Sequence, residues 1–245
     1  MPDNPKIPEE IYGFIDHEVE SLQEIIELLE RYNRNDSLFR GVTDAIDHRL
    51  IPKIGRKDFL GSSGIFDPAR ERRLIEDFKL RATPYLDSGI PNSDLEWLAL
   101  GQHYGLATRL LDWAQSPLVA TFFAVTKMGS GGRYAAVYAV HGLDNIFSDE
   151  DPFGLWDAMR YDPSHIVSRI PAQSAAFTVH AHPDTPLRPP RGQSWLRLLI
   201  HPLSQGHIKQ QLDWCGISRA SLFPDMEGLS DHINWRYKWR IGHRY

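Results

Sequence analysis

The first half of the chain has the apolar spacing of helices. Apolar residues recur at helical intervals among acidic ones over residues 11–32, which predicts an amphipathic helix. A charged, periodic stretch predicts a second helix over residues 67–80, and the capping sequence Asn92-Ser93-Asp94 predicts a third that ends near Gly105. One short strand is predicted between the first two helices, at residues 37–41, and it ends at a glycine.

The second half is richer in strand signals. Alanine, valine and tyrosine at residues 134–141 predict a central strand, because such residues fit a pleated and buried surface. Further strands are predicted at residues 175–182 and 195–201, helices at residues 116–125 and 205–215, and a turn followed by a helix at residues 221–233. Helices followed by strands favour the α+β class. We therefore predict a single α+β domain with N-terminal helices and a mixed or antiparallel sheet.

Length, charge and cysteine content limit the class of protein. The 245 residues suffice for one sizeable core, and the net charge of −5 gives no general attraction to nucleic acid or anionic membranes. The single cysteine, Cys215, excludes an intrachain disulfide and fits a reducing compartment. The sequence has no apolar stretch of bilayer length and no secretory leader pattern, so we expect a cytoplasmic protein without membrane contact.

Arg40 is the first candidate for chemistry. It follows Leu38 and Phe39 on the predicted strand and precedes Gly41, which lets another group approach the backbone closely. An arginine at such a strand end usually meets a carboxylate or a phosphate, because its planar guanidinium donates two parallel hydrogen bonds. Two interpretations stay open here: a bound anionic ligand, or an internal ion pair with Asp112 or another acid.

The second candidate is the polar segment that follows the third predicted helix. Several hydrogen-bonding side chains precede a buried helix there: Gln102, His103, Tyr104, Thr108, Arg109 and Asp112. Such groups are costly to bury unless they are paired, and a polar pocket explains their density. Standard catalytic signatures, such as glycine-rich phosphate loops and zinc-protease motifs, are absent from the sequence.

These two segments resemble the FRG domain family, which is named for its Phe-Arg-Gly motif. The resemblance rests on Leu38-Phe39-Arg40-Gly41, followed by Leu50, Pro52 and Arg56, and on Gln102-His103-Tyr104-Gly105; it continues through residues 170–177 and 221–233. It implies an FRG domain over residues 34–245 behind an N-terminal helical segment at residues 1–33. The family is distantly similar to ADP-ribosyltransferases, which implies an ADP-ribosyltransferase-like fold with NAD as substrate.

The resemblance also implies roles for individual residues. The nucleotide would be bound by Arg40, Gly41, Gln102, His103, Tyr104, Gly105, Thr108 and Arg109. The implied catalytic residues are Arg40, His103, Asp112 and Gln173. Gln173 stands where ADP-ribosyltransferases place a glutamate, so either another acid supplies the charge (Asp112, Asp225 or Glu227) or the pocket only binds.

Two functions follow from the resemblance. The first is an NAD-using ADP-ribosyltransferase or NAD glycohydrolase, of the toxin or phage-defence kind, whose protein or nucleic-acid acceptor is undefined. The second is a non-catalytic module that binds a nucleotide or ADP-ribose. A third, purely structural interpretation keeps Arg40 and Asp112 as an internal ion pair.

Two weaker patterns have simpler explanations. His180 and His182 lie on one face of a predicted strand, but a third metal ligand is not evident, and we expect no metal. Residues 235–245 alternate aromatic and basic side chains, which fits either contact with nucleic acid or an edge strand whose aromatics pack on the core. For an acidic protein, the packed edge strand is the favoured interpretation.

Overall fold

A mixed seven-stranded sheet organises the chain in the computed structural model, which describes residues 11, 13–32, 34–86, 89–126, 132–163, 175–239 and 241. The strands are β1 Phe14–Val19, β2 Leu38–Val42, β3 Leu110–Ala114, β4 Ala135–Val140, β5 Met159–Tyr161, β6 Ala175–Val179 and β7 Trp195–Ile200. Their spatial order is β1-β7-β4-β2-β3-β6-β5. The outer pair β1 and β7 is parallel, and the other neighbours are antiparallel.

Helices cover the sheet, and several of them begin at side-chain caps. They are α1 Leu22–Tyr32, α2 Lys57–Leu60, α3 Pro68–Ala82, α4 Asp94–His103, α5 Pro117–Ala124, α6 Gln205–Trp214, α7 Arg219–Leu222 and α8 Met226–Lys238. The side chains of Asp67, Ser93 and Ser116 accept backbone hydrogen bonds from the first turns of α3, α4 and α5. The helices predicted over residues 67–80, 116–125 and 205–215 are therefore confirmed, as is the one that begins at the Asn92-Ser93-Asp94 sequence.

The core lies on both faces of the sheet. Every position of β4 and β7 is buried, which requires cover on each side. One apolar cluster joins β4, β7 and Phe39 of β2 to α1, α5 and α6. A separate cluster on the same face packs α3 and α4 on β3, β5 and β6. A third cluster, which includes Leu38, Trp113, Tyr138 and Trp195, lies on the opposite face. Two helical layers thus meet the sheet at different strands, and the border between them lies near β2 and β3.

Two predictions about the ends of the chain are wrong. Residues 14–19 form β1 rather than the first half of a helix, because they pair along their whole length with β7. Residues 235–238 close helix α8 rather than forming an edge strand. In both places the local pattern fits either element, and packing against distant residues decides.

The mixed sheet in a single α and β chain is confirmed, but its order along the chain differs from the prediction. Strands β1 and β2 precede most of the helices, and the last three described helices follow β7. Strands β3 and β5 were not predicted. The segment 1–33 is not only helical, since β1 belongs to the common sheet; a domain boundary at residue 33 stays a prediction. Within the described residues, no helix has the length and apolar character needed to span a bilayer.

Candidate functional site

The border between β2 and β3 is open. These neighbours pair only at Phe39 and Ala114, whereas each pairs along its full length with the strand on its other side. Beyond that pair the two backbones separate, and their polar groups need other partners. Arg40 supplies one: its Nη1 donates a hydrogen bond to the backbone oxygen of Asp112 and lies 3.5 Å from Asp112 Oδ2. The guanidinium therefore bridges the gap between the strands.

Gly41 explains why α5 can lie so close to this border. A Cβ at this position would stand 1.8 Å from the backbone oxygen of Ala120 and 2.5 Å from the nitrogen of Ala124. Only glycine permits that approach of helix backbone to strand. The glycine thus fixes the distance between α5 and β2, and with it the wall beside Arg40.

Asp112 faces a gap between the two helical layers. It lies between Leu110 and Ala114 on the same face of β3, where Leu110 packs with α4 and Ala114 packs with α5. Its carboxylate is 55% exposed, although both neighbours on that face are buried. This placement puts a negative charge at the floor of an open site.

A short hydrogen-bond chain orients the Asp112 carboxylate. The hydroxyl of buried Thr108 donates to Gln102 Oε1 at 2.7 Å, and Gln102 Nε2 donates to Asp112 Oδ1 at 2.9 Å. Because the hydroxyl occupies the amide oxygen, the amide nitrogen is turned toward the acid. Thr108 therefore acts on the site through Gln102 rather than by reaching it.

These elements enclose a cavity of about 470 Å³. Its aromatic walls come from Phe39, Trp113, Phe123, Phe177 and Phe223, and its polar side chains are Arg40, Thr43, His48, Arg56, Gln102, His103, Asp112 and Thr126. This lining contains two guanidinium groups, of Arg40 and Arg56, and one carboxylate, of Asp112. The cavity therefore combines flat apolar surfaces with a net positive charge, which suits an anionic ligand that carries rings.

Burial and mutual repulsion shape the electrostatics of the cationic end. Burial lowers the pKa of Arg40 below its ordinary value; Asp112 opposes this shift and Arg56 adds to it. Arginine stays charged in spite of such a shift. The pKa of His48 is also lowered, first by burial and then by Arg56 and Arg40. His48 is thus neutral at neutral pH and offers one donor and one acceptor beside two cations.

Comparison with known proteins assigns this region. Residues 35–131 match the model of the FRG domain. The chain contains an FRG domain. The matched stretch holds β2, α4, β3 and α5, which carry Arg40, Gly41, Gln102 and Asp112. No curated protein and no solved structure matches the chain.

The FRG domain brings five of the predicted site residues to the cavity: Arg40, Gly41, Gln102, His103 and Asp112. Tyr104 and Gly105 are not part of the lining. Tyr104 is exposed and meets the His103 ring edge to face, and the backbone oxygen of Gly105 accepts a hydrogen bond from Lys53 Nζ. Gln173 lies outside the described residues. Neither Asp225, the cap of α8, nor Glu227 lines the cavity.

Arg109 does not reach the cavity, which corrects the prediction that it binds a nucleotide. Its guanidinium is buried and makes a bidentate pair with Glu71 of α3. Its Nη1 also donates to the backbone oxygens of Pro152 and His180. These contacts satisfy the group internally, and Arg109 ties α3 to the edge of the sheet in the FRG domain.

His180 is a buried neutral group behind the site. The indole N–H of Trp113 donates a hydrogen bond to Thr178 Oγ1. The hydroxyl proton of Thr178 can then be donated to His180 Nε2, which lies 3.0 Å from Thr178 Oγ1. Burial, with smaller contributions from Arg40 and Arg109, lowers the pKa of His180 to about 3. Among the described residues, no group of three or more His, Cys, Asp or Glu side chains is placed to hold a metal ion.

The sequence interpretation missed several lining residues. Arg56 was noted for the resemblance but given no role, and His48 was not considered; both come from the connection between β2 and α2. Arg56 follows the Phe-Arg-Gly motif in the resemblance, and this position could have identified it as a lining residue. Phe177 and Phe223 belong to the later segments of the resemblance, but their place in the lining depends on the path of β6 and of the helices after β7.

Proposed function

We propose that the cavity binds NAD and that the FRG domain is an ADP-ribosyltransferase or NAD glycohydrolase. Arg40 and Arg56 would hold the pyrophosphate, and Asp112 would face the ribose at its bond to nicotinamide. The observation that carries the proposal is the Asp112 carboxylate, held by Gln102 inside a cationic, aromatic-walled cavity. The cavity volume of about 470 Å³ lies within the range of small-molecule sites.

Asp112 supplies the charge that the reaction requires. When the bond to nicotinamide breaks, positive charge develops on the ribose carbon, and a fixed carboxylate nearby stabilises it. Nicotinamide leaves with the bonding electrons as a neutral molecule. Water or an acceptor nucleophile then attacks the same carbon and loses a proton. Asp112 takes the role that the resemblance left to Gln173 or to another acid.

The surrounding side chains fit the two ring systems of the same ligand. Aromatic walls such as Trp113 and Phe123 can stack on a planar base. Neutral His48 and the Gln102 amide offer hydrogen bonds without adding charge. The open border between β2 and β3 supports an ADP-ribosyltransferase-like fold, because it provides a site for a nucleotide within the sheet. Consumption of NAD would suit a toxin or phage-defence effector.

One observation favours a second candidate, a module that binds ADP-ribose without turnover. The Asp112 carboxylate already receives a hydrogen bond from Gln102 at Oδ1 and lies 3.5 Å from the Arg40 guanidinium at Oδ2. A carboxylate neutralised in this way stabilises an oxocarbenium ion less. In this candidate the same residues recognise the diphosphate and a ribose hydroxyl.

Nicotinamide release from NAD separates the two candidates. We expect the parent protein to release nicotinamide and Asp112→Asn to lose about 100-fold or more in rate, because the charge but not the shape is removed. Arg40→Ala should lose turnover as well. Asp58→Asn, the same change at an exposed position of α2, is the matched control and should keep the parental rate.

The outcomes of this assay are distinct when thermal stabilisation by ADP-ribose is measured beside it. Stabilisation without nicotinamide release favours the binding module. If Asp112→Asn turns over NAD at the parental rate, Asp112 does not have the proposed role. If the parent neither releases nicotinamide nor is stabilised, both candidates are wrong.

A further inference from the structure

A second cavity adjoins the first. It has a volume of about 310 Å³, lies among α5, α6 and α8, and is lined by Phe122, Thr126, Lys209, Asp213, Ile217, Ser218, Arg219, Asp231, His232 and Trp235. Thr126 lines both cavities. Part of the partition is a stacked pair, in which the Arg219 guanidinium lies 3.7 Å from the ring centre of Phe223. The proposed NAD site uses none of these cationic side chains.

The lining is rich in hydrogen-bond donors. Within the part of the chain that the structure describes, Trp235 Nε1 and Arg219 Nε are buried and make no hydrogen bond. Lys209 Nζ lies 5.1 Å from the ring centre of Trp235 and donates one long hydrogen bond, 3.3 Å, to the backbone oxygen of Thr126. A buried donor without an acceptor is costly, so these two donors favour a bound acceptor group.

The acids in the lining do not meet that need. Asp213 lies 3.5 Å from His232 Nε2 and 4.0 Å from Arg236 Nε, so its carboxylate is already shared between two bases. Asp231 lies 3.4 Å from Arg219 Nε without hydrogen-bond geometry and is half exposed. No described carboxylate forms an ion pair with Lys209. The pKa of Lys209 is lowered by burial and by the charge of Arg219.

We propose that this cavity binds the oxyanion group of a small ligand, a carboxylate or a phosphate, between Lys209, Arg219 and the indole of Trp235. Such a group brings several acceptor oxygens to the place where Arg219 Nε and the indole N–H of Trp235 make no hydrogen bond. Asp231 and Glu227 lie 3.4 Å and 4.0 Å from the Arg219 guanidinium, on nitrogens Nε and Nη2. Trp235 and its neighbours were suspected of nucleic-acid contact because aromatic and basic residues alternate there. The cavity volume of about 310 Å³ favours a small anion.

The indole proton of Trp235 is a direct probe of this site. In protein carrying ¹⁵N-labelled tryptophan, the seven tryptophans give seven indole signals, and Trp235→Phe identifies the one that matters. Inorganic phosphate and malonate are titrated separately against sodium chloride at equal ionic strength. We expect a saturable shift of the Trp235 signal with one or both anions, with a Kd in about the millimolar range.

Variants at Lys209 test the recognition. Lys209→Met should weaken the anion affinity about tenfold or more, while Lys209→Arg should restore it, because the charge returns. Lys57→Met is the matched control at an exposed position outside both cavities and should leave the titration unchanged. The untouched tryptophan signals report in each spectrum that the variant is folded.

Each result decides the question. A response to phosphate alone indicates a phosphorylated ligand, a response to malonate alone a carboxylate, and a response to both a general oxyanion site. No saturable shift beyond that of chloride overturns the proposal and leaves water as the occupant. Arg40→Ala should not alter the titration; if it abolishes the shift while Lys209→Met does not, the anion binds in the first cavity and the proposal is wrong. None of these results depends on NAD turnover.

Discussion

Two arginine–carboxylate pairs flank the start of β3, and they differ in how completely they are satisfied. Arg109 and Glu71 are 3% and 2% exposed and meet through two parallel hydrogen bonds. Arg40 and Asp112 are 18% and 55% exposed, and their closest side-chain contact is a single 3.5 Å approach. The remaining nitrogen of Arg109, Nη1, donates to two backbone oxygens. Arg40 and Asp112 instead line a cavity.

The difference shows what each pair can do. A buried pair whose donors are all used cannot accept a ligand without first losing its own bonds, so it serves to hold helices and strands together. A loosely paired guanidinium at a cavity retains donors for a new acceptor. Completeness of hydrogen bonding, rather than the presence of an ion pair, therefore distinguishes an arginine that holds the fold together from one that keeps free donors at a cavity.

The largest expected effect comes from breaking the closed pair. Glu71→Gln removes the charge that compensates a buried guanidinium, and we expect the free energy of unfolding to fall by about 3–5 kcal/mol. Urea denaturation at neutral pH measures it. Glu76→Gln is the matched control, since it makes the same change at an exposed position of α3 and should cost less than about 1 kcal/mol. Similar small losses at both positions would refute the contrast.

An intermediate effect is expected at His180, which lies between the two arginines. Its pKa is about 3 in the folded protein, against an ordinary value near 6.5 when the chain is unfolded. Between these two pKa values the histidine is protonated in the unfolded chain but neutral in the folded protein. The free energy of unfolding therefore decreases as the pH falls below about 6.5. His180→Gln keeps an acceptor for Thr178 but removes the titration.

The measurement is the change in unfolding free energy between pH 7 and pH 5. The parent should lose about 2 kcal/mol more than His180→Gln over this interval, because one proton is taken up only by the unfolded chain. His182→Gln, in an exposed position two residues away, should follow the parent. An identical pH dependence in all three proteins would show that His180 is not held neutral by its surroundings.

The smallest effect on stability is expected at the open pair. Asp112→Asn is chemically equivalent to Glu71→Gln, yet it should change the free energy of unfolding by less than about 1 kcal/mol, because the exposed carboxylate contributes little. The same denaturation series gives the value. A loss as large as that of Glu71→Gln would mean that Arg40 and Asp112 form a structural pair, as the third interpretation of the sequence held.

The sequence could predict residues that line the cavity but could not separate the two arginines. Arg40 and Arg109 both stand next to apolar residues, and both were assigned to ligand binding. What distinguishes them is Glu71, which lies 38 positions before Arg109 and whose burial depends on how α3 packs. The Gln102 and Asp112 pairing was within reach of sequence reasoning, because both belong to one short polar segment that ends on a buried strand.

Strand β1 and the lining residues His48 and Arg56 were missed because local sequence does not determine their structure. Phe14, Ile15 and Val19 fit helical spacing and strand alternation alike, and their partner strand β7 is remote in the chain. His48 and Arg56 lie in an irregular connection, where no periodicity indicates the direction of a side chain. The cap in the Asn92-Ser93-Asp94 sequence was predicted correctly, because the hydrogen bond of the Ser93 side chain lies within one helical turn.

The parallel pairing of β1 with β7 has a consequence for folding during synthesis. Phe14 pairs with Trp195, so β1 has no partner strand until β7 has been synthesised. Strands β2, β3, β4 and β6 emerge earlier, so Arg40 and Asp112 can meet before β7 is made, and Phe223 completes the cavity wall afterwards. A nascent chain stalled before β7 presents β4, whose six residues are all buried in the complete protein, as a bare apolar edge. Such a chain is a template for aggregation, and completion of the C-terminal part protects the centre of the sheet.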